Sequence, residues 1–550
     1  MRRASLCVLF CALLAPSAAA ATPGPDTVAV VGNANVPESV ALAERYAEAR
    51  DVPANQVCLL DVEDVETVSL EAYRTDFLEP LRTCLDGGGA RERIEAVLLV
   101  RGVPLRVTVP DGGDRPVSLA AALMLWDSEM EADGAPLLGQ PSGREAMCGS
   151  ATCYAARWSN PYSGLPFEPG WEITRAGVVW RPILVTMLHG RSYEDAERLL
   201  DSALAATADD LKGGELLFMD GSDAARGALD FQYDGVIADL TDRGFTATRV
   251  PFDANLTGRD LSTFVTGTAN LGETIEGNTF RAGSLVDNLT SFGAVPRNFR
   301  ESGESQVSVA RWVAKGVGGV HGTVAEPLNN CFPQRDFLVE YADGATLAEA
   351  FHARMPYVYW RNLVLGDPML APFALRPQLT VTGVEDGASV DGAIPLTVDA
   401  VDPGDRGVAS IVAYLDGVEV ARAEGDRLEA CVVIDGGADH QLLVVARAAE
   451  DPTGARPYQP KGWAAFDLAS DGEATACAAP DAGVPADDAS APDRDGGVGG
   501  PDGGTTSDGE GCSCAAPGRP RDVPAGPPLA LLAIAALAWR RRSARGRQAS

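Results

Sequence analysis

The chain has 550 residues, with 77 Asp and Glu against 45 Lys and Arg and a formal net charge of −32. That length allows about two to four domains and excludes a small disulfide-stapled scaffold. Apolar residues at 46% and charged residues at 22% exclude a chain disordered throughout, and so acidic a balance excludes a nucleic-acid partner, which needs basic patches to displace phosphate counterions.

Arg2 and Arg3 precede an apolar run from Leu6 to Leu14, then Pro16 and a small-residue stretch, Ser17 to Ala21. This is the pattern of a secretory signal peptide over residues 1–21, with cleavage by a signal peptidase near Ala21. It predicts export and a compartment in which disulfides form.

Residues 22–375 alternate strand and helix signals. Thr27 to Val31 reads as a strand and Ser39 to Arg50 as an amphipathic helix. Ala96 to Val100 and Glu215 to Met219 are continuous apolar runs, as buried parallel strands require. A helix is expected from Ala224 to Arg243, a strand from Phe245 to Val250, and helices at Ser308–Lys315 and Leu347–Arg354. Strand–helix alternation predicts a mostly parallel sheet covered on both faces. Ligands in such sheets sit beyond the carboxyl ends of the strands. That directs attention to the loops at Arg101–Pro104, Asp220–Asp223, Ser291–Gly293, His321–Thr323 and Gly366–Pro368.

The segments VAVVGNANVPESVALAERYAEARDVPANQVCLL, LLVRGVPLRV, GVHGTVAEPLNNCFP, ATLAEAF and LVLGDPMLAPF together resemble an uncharacterised family of exported bacterial proteins, across residues 27–373. The C-terminal half is distantly similar to the gingipain-type cysteine peptidases, which implies a caspase-like α/β sheet. A caspase-like peptidase needs a His and then a Cys at the ends of neighbouring strands, so that the imidazole takes the thiol proton. This chain has no His between Gly190 and Val320, and no Cys between Tyr154 and Asn330. Ser291 stands where the resemblance puts the nucleophile. Met187-Leu188-His189-Gly190 replaces an Arg-Leu-Asp-Gly run frequent in the family.

The candidate catalytic residues are therefore Glu326, Asp367, Ser291 and His321. Glu326 precedes Pro327, which fixes its loop. His321 and Glu326 form a possible acid–base pair, with loop ordering as the alternative role for His321. Asp367 in Gly-Asp-Pro either carries chemistry or caps a turn, and Ser291 either attacks or bonds the backbone. Asp220 and Asp223 read as metal ligands or turn acids. Cys331 is either a dyad partner of His321 or a buried thiol. The four His are scattered without ligand spacing, so neither a metal nor a cofactor is implied. Of the other cysteines, Cys58 with Cys84, Cys148 with Cys153 and Cys431 with Cys477 are plausible disulfide pairs, though spacing does not fix the connectivity.

Residues 376–470 read as short strands separated by turns, the pattern of an immunoglobulin-like sandwich. Leu415-Asp416-Gly417-Val418 has the sequence of a type I′ hairpin. Residues 471–511 are rich in Gly and Asp and poor in bulky aliphatics, which predicts a disordered stalk. Residues 512–547 hold Cys512 and Cys514, a short transmembrane helix from Leu529 to Trp539 and a cluster of Arg. That order closely resembles the MYXO-CTERM sorting tag. The resemblance implies processing by a sorting protease near the cysteines, membrane contact through the helix before processing, and delivery to the cell surface.

The expectation is thus an α/β body with a mostly parallel caspase-like sheet and flanking helices, followed by an all-β immunoglobulin-like sandwich. Its expected function is non-catalytic, binding an envelope or extracellular ligand. The alternative is a hydrolase using acidic or serine residues at the strand-end cleft.

Overall fold

A computed structural model describes residues 20–21 and 24–470, apart from 109–115, 125, 127–157, 161–172, 176–177, 181, 301–302, 359, 391, 435–438, 455 and 457. Outside the described residues lie almost all of the signal peptide, the stalk, Cys512, Cys514 and the C-terminal helix, and also Cys148, Cys153 and Cys477. Among the described residues no helix is long and apolar enough to cross a membrane.

The α/β body is built in chain order from β1 (Val28–Asn33), α1 (Pro37–Arg50), β2 (Val57–Leu60), α2 (Glu79–Gly87), β3 (Ala96–Val100), β4 (Leu184–Leu188) and α3 (Tyr193–Ala205). Its second half holds β5 (Glu215–Met219), α4 (Tyr233–Asp242), β6 (Thr246–Val250), β7 (Asp260–Thr266), β8 (Thr279–Asn288) and α5 (Val309–Ala314). It ends with β9 (Gly319–Thr323), α6 (Phe337–Ala342), α7 (Leu347–Arg354) and β10 (Asn362–Gly366). The ten strands form one sheet in the order β6-β5-β7-β8-β9-β10-β4-β3-β1-β2. The ladders are parallel on both sides, while β10 runs antiparallel to β9 and meets β4 through one pair, Leu365 with Met187.

The local reasons are plain in the side chains. β1, β3 and β4 are buried at every position, because helices cover both faces. α1 turns Ser39, Leu42, Ala43 and Tyr46 inward at helical spacing. α7 opens with a capping box: Thr346 accepts from the Glu349 amide while the Glu349 carboxylate accepts from the Thr346 amide.

The sheet has two similarly wound halves. In the amino half the chain goes from β1 outward to β2, then returns to place β3 on the other side. In the carboxyl half it goes from β5 outward to β6, then returns to β7. Each half thus has a switch point, between β1 and β3 and between β5 and β7, where open α/β sheets leave a crevice.

Two expectations need correction. The helix expected from Ala224 begins only at Tyr233, because residues up to Leu229 fold as a loop and Asp230–Gln232 as a 3₁₀ turn. His321-Gly322-Thr323 is not a loop: it completes β9, where Asp287 and Asn362 pair with it from either side.

The C-terminal region is all-β: β11 (Gln378–Thr382), β12 (Ala388–Val390), β13 (Ala393–Val401), β14 (Val408–Leu415), β15 (Val418–Glu424), β16 (Arg427–Val433), β17 (Asp439–Ala448) and β18 (Lys461–Ser470). One sheet runs β11-β13-β16. The other runs β18-β17-β14-β15, with β12 and Ala20–Ala21 also on β18. Ile394, Leu396 and Val398 from the first sheet share a core with Ile411, Ala413 and Val444 from the second. Asp416 and Gly417 have φ of 50° and 79°, as the type I′ reading requires. Cys58 and Cys84 form a disulfide, and Cys431 is also disulfide-bonded.

Candidate functional site

At the carboxyl ends of β7 and β8, neighbouring strands carry Thr268 and Asn288. The Asn288 carboxamide accepts from the Thr268 amide at 2.8 Å and donates to the Thr268 carbonyl at 3.0 Å. This reciprocal pair ties the two strand ends together. The adjoining switch point is filled by the protein's own loop. The Ser222 amide donates to the Gly267 carbonyl at 2.8 Å, and the Gly221 amide to Asp230 at 2.7 Å. A Cβ at Gly267 would lie 2.1 Å from the Arg226 carbonyl oxygen, and one at Gly221 would lie 2.3 Å from the Gly227 nitrogen. Only glycine permits this closure.

One layer below the rim lies a fully buried polar network. His321 Nδ1 is 2.7 Å from Asp287 and Nε2 is 3.2 Å from Asn362 Oδ1. The other Asp287 oxygen accepts from Arg335, whose side chain is also fully buried. Burial pushes the Asp287 carboxyl up, but Arg335 and His321 outweigh it and hold it below the usual carboxylate range. The Asn362 amide donates to the Cys331 carbonyl at 3.2 Å. The Cys331 thiol is buried, unpaired and pushed up to about 12 by desolvation. A thiol so placed stays protonated, and both ring nitrogens of His321 face groups other than the sulfur.

The sequence-derived candidates do not converge. Ser291 Oγ donates to Glu326 Oε1 at 2.9 Å on the exposed rim, and the Ser291 amide donates to Gln306 at 3.0 Å. His321 lies in the buried network. Asp367 follows β10, which is central in the sheet but runs antiparallel to β9, so it lies at the opposite end of the strands from Ser291. There it accepts from the Tyr46 hydroxyl and from Arg50 Nε, each at 2.7 Å, and from the Met369 amide at 2.9 Å. Asp220 pairs with Arg249 at 2.7 Å, and Asp223 accepts the amides of Ala225 and Arg226, as a turn acid does. Among the described residues no three His, Cys, Asp or Glu gather as metal ligands would.

The amino half differs. At its switch point a cavity of about 500 Å³ opens beside Arg101 after β3, His189 after β4 and Tyr193 at the start of α3. A second cavity of about 400 Å³ adjoins it and holds Arg106, Phe292 and Arg297. Glu66, Pro296 and Arg300 border both, so the two form one trough along the rim. The Arg101 guanidinium lies 5.3 Å from the Tyr193 ring and donates to the Gly190 carbonyl. His189 is 6% exposed, and its Nδ1 has no hydrogen-bond partner. Burial, and then Arg101, push this imidazole down to about 3, so it is neutral at physiological pH. Sequence reading singled out the Arg101 loop but not Arg106, Arg297 or Glu66. The available signal was arginine at strand ends in an acid-rich chain.

No protein-family model matches the chain, and no curated protein matches it. Among solved structures, one described as "Structures of Clostridium thermocellum CbhA fibronectin(III)-like modules" is similar at 14% identity, covering 17% of this chain and 98% of that one, with a TM-score of 0.14.

Proposed function

We propose that this is an exported, surface-displayed protein that binds an envelope or extracellular ligand through an α/β body without peptidase chemistry. The observation that carries the reading is the reciprocal Asn288–Thr268 pair. It ties neighbouring strand ends together in the half that resembles a caspase-like peptidase, with Asn288 three residues before Ser291, which stands where the resemblance puts the nucleophile. The mostly parallel sheet with helices on both faces supports the caspase-like reading of that half. The two-sheet all-β region supports an immunoglobulin-like module, which spaces the body from the stalk. The MYXO-CTERM-like tag and the signal peptide make a signal peptidase and a sorting protease its processing partners.

One observation favours a hydrolase instead: Ser291 and Glu326 are hydrogen-bonded on an exposed rim. A serine needs a base to attack, and a carboxylate is a weak one. The test is to assay the purified protein against peptide and glycan libraries, beside Glu326→Gln and Asp367→Asn. The binding reading expects no turnover from any form. Turnover by the parent chain that Glu326→Gln abolishes would establish the hydrolase.

A further inference from the structure

Arginine is scarce in this molecule relative to acid, and among the described residues most of it is paired with carboxylates. Arg45, Arg249, Arg281, Arg311 and Arg427 each hold a carboxylate. The trough is an exception. Arg101 spends one donor on the Gly190 carbonyl and Arg106 one on the Thr67 hydroxyl at 2.9 Å. Among the described residues neither pairs with a carboxylate, nor does Arg297. Arg101 and Arg106 are half-buried, where a cation without a counter-ion is least comfortable. The acids that line the trough, Glu38, Asp64, Glu66 and Glu326, are all exposed.

Glu66 shows how this cluster takes an oxyanion. Its carboxylate receives Arg300 Nη2 at 2.8 Å on both oxygens and Arg300 Nε at 3.1 Å, and its charge also reaches Arg106. It stands at the boundary of the two cavities. The planar fork of a guanidinium matches carboxylate and phosphate alike. His189, neutral and with an unpartnered buried nitrogen, supplies one more polar contact.

We propose that the trough at the β1–β3 switch point binds a small polyanion, one oxyanion group on Arg101 and a second on Arg106 and Arg297, displacing Glu66 from the middle. This deepens the binding reading and rests on it. A cavity pair of about 500 and 400 Å³ suits a small molecule.

Calorimetric titration of the full chain with citrate and with pyrophosphate, at fixed ionic strength and with chloride as control, tests it. At least one of the two anions binds and chloride does not compete. Citrate alone identifies a carboxylate ligand, and pyrophosphate alone a phosphate. Arg101→Met weakens binding about tenfold or more, the loss of one charge-assisted contact. Arg297→Met, at an exposed position that folding tolerates, weakens it several-fold. Glu66→Gln removes the internal competitor and strengthens it. Binding of neither anion at millimolar concentration overturns the proposal. So does binding unchanged in both arginine variants, or binding that Glu66→Gln weakens. Peptide or glycan turnover by the same preparation would overturn the binding reading while leaving the titration result standing.

Discussion

The two halves of the sheet share a winding order and end differently. In the carboxyl half, the switch point between β5 and β7 is plugged by the loop from Asp220 to Gln232, and the next strand ends are joined by Asn288 and Thr268. In the amino half, the switch point between β1 and β3 stays open as a trough bordered by arginines. Topology makes a crevice available, and residue size and hydrogen bonding decide whether it is used. Gly221, Gly227 and Gly267 let the chain fill one crevice with its own backbone. Arg101, His189 and Tyr193 line the other, which stays open.

The halves also differ in how they hold buried charge, and that contrast is open to mutation. Asp287→Ala leaves Arg335 buried without its carboxylate, and the expected loss is about 3–5 kcal/mol in denaturant unfolding. The acid limb follows the same residue. Its depressed carboxyl contributes stability above the ordinary carboxylate pKa, lost as pH falls through the folded value.

Glu95, just before β3 in the amino half, has the opposite sign. It is buried, and its pKa rises from 4.5 to about 7 through desolvation, against the pull of Lys461 and with Glu349 adding to the rise. The folded state therefore holds a proton that the unfolded state releases. Stability should fall as pH climbs from about 4.5 to about 7, by an amount of order 3 kcal/mol. Glu95→Gln should flatten that slope and be more stable than the parent at pH 7.5, read from melts at pH 5 and 7.5. A parent chain without the slope would refute the assignment.

Gly267→Ala pushes a methyl group against the Arg226 carbonyl and should cost about 1–3 kcal/mol as the plug shifts. The same change at exposed Gly87, where a Cβ meets nothing, should be nearly silent. Ser291→Ala has a smaller effect than Gly267→Ala. It breaks an exposed bond to Glu326, so stability should change by less than about 1 kcal/mol and any ligand binding in the trough should persist.

Local features were legible in the sequence. The uninterrupted apolar run at Ala96–Val100, the helix at Leu347–Arg354 and the Asp416-Gly417 hairpin follow from periodicity and turn chemistry, and Cys58–Cys84 was among the plausible pairs. The network around His321 was not. Its partners Asp287, Arg335 and Asn362 come from three separate segments, and only strand pairing across β8, β9 and β10 brings them together. The sequence places His321 in a loop because the run Gly316–Val320 reads as leading into a strand end, whereas the strand continues to Thr323. A Cβ at Gly319 or Gly322 would strike Leu347 or Val309, so these glycines permit close helix packing on a strand. Asp367 was legible as a turn acid, but not its bonds to Tyr46 and Arg50, more than 300 residues away.

The β5–β7 switch point is sealed by the chain's own loop, while the β1–β3 switch point is open. Amide hydrogen exchange on the full chain tests this contrast most directly. Strong protection is expected at Gly221, Ser222 and Gly227, whose amides are bonded within the plug, and at Thr268, whose amide is bonded to Asn288. Exchange at those amides as fast as in an unstructured peptide would mean an open crevice there, and would contradict it.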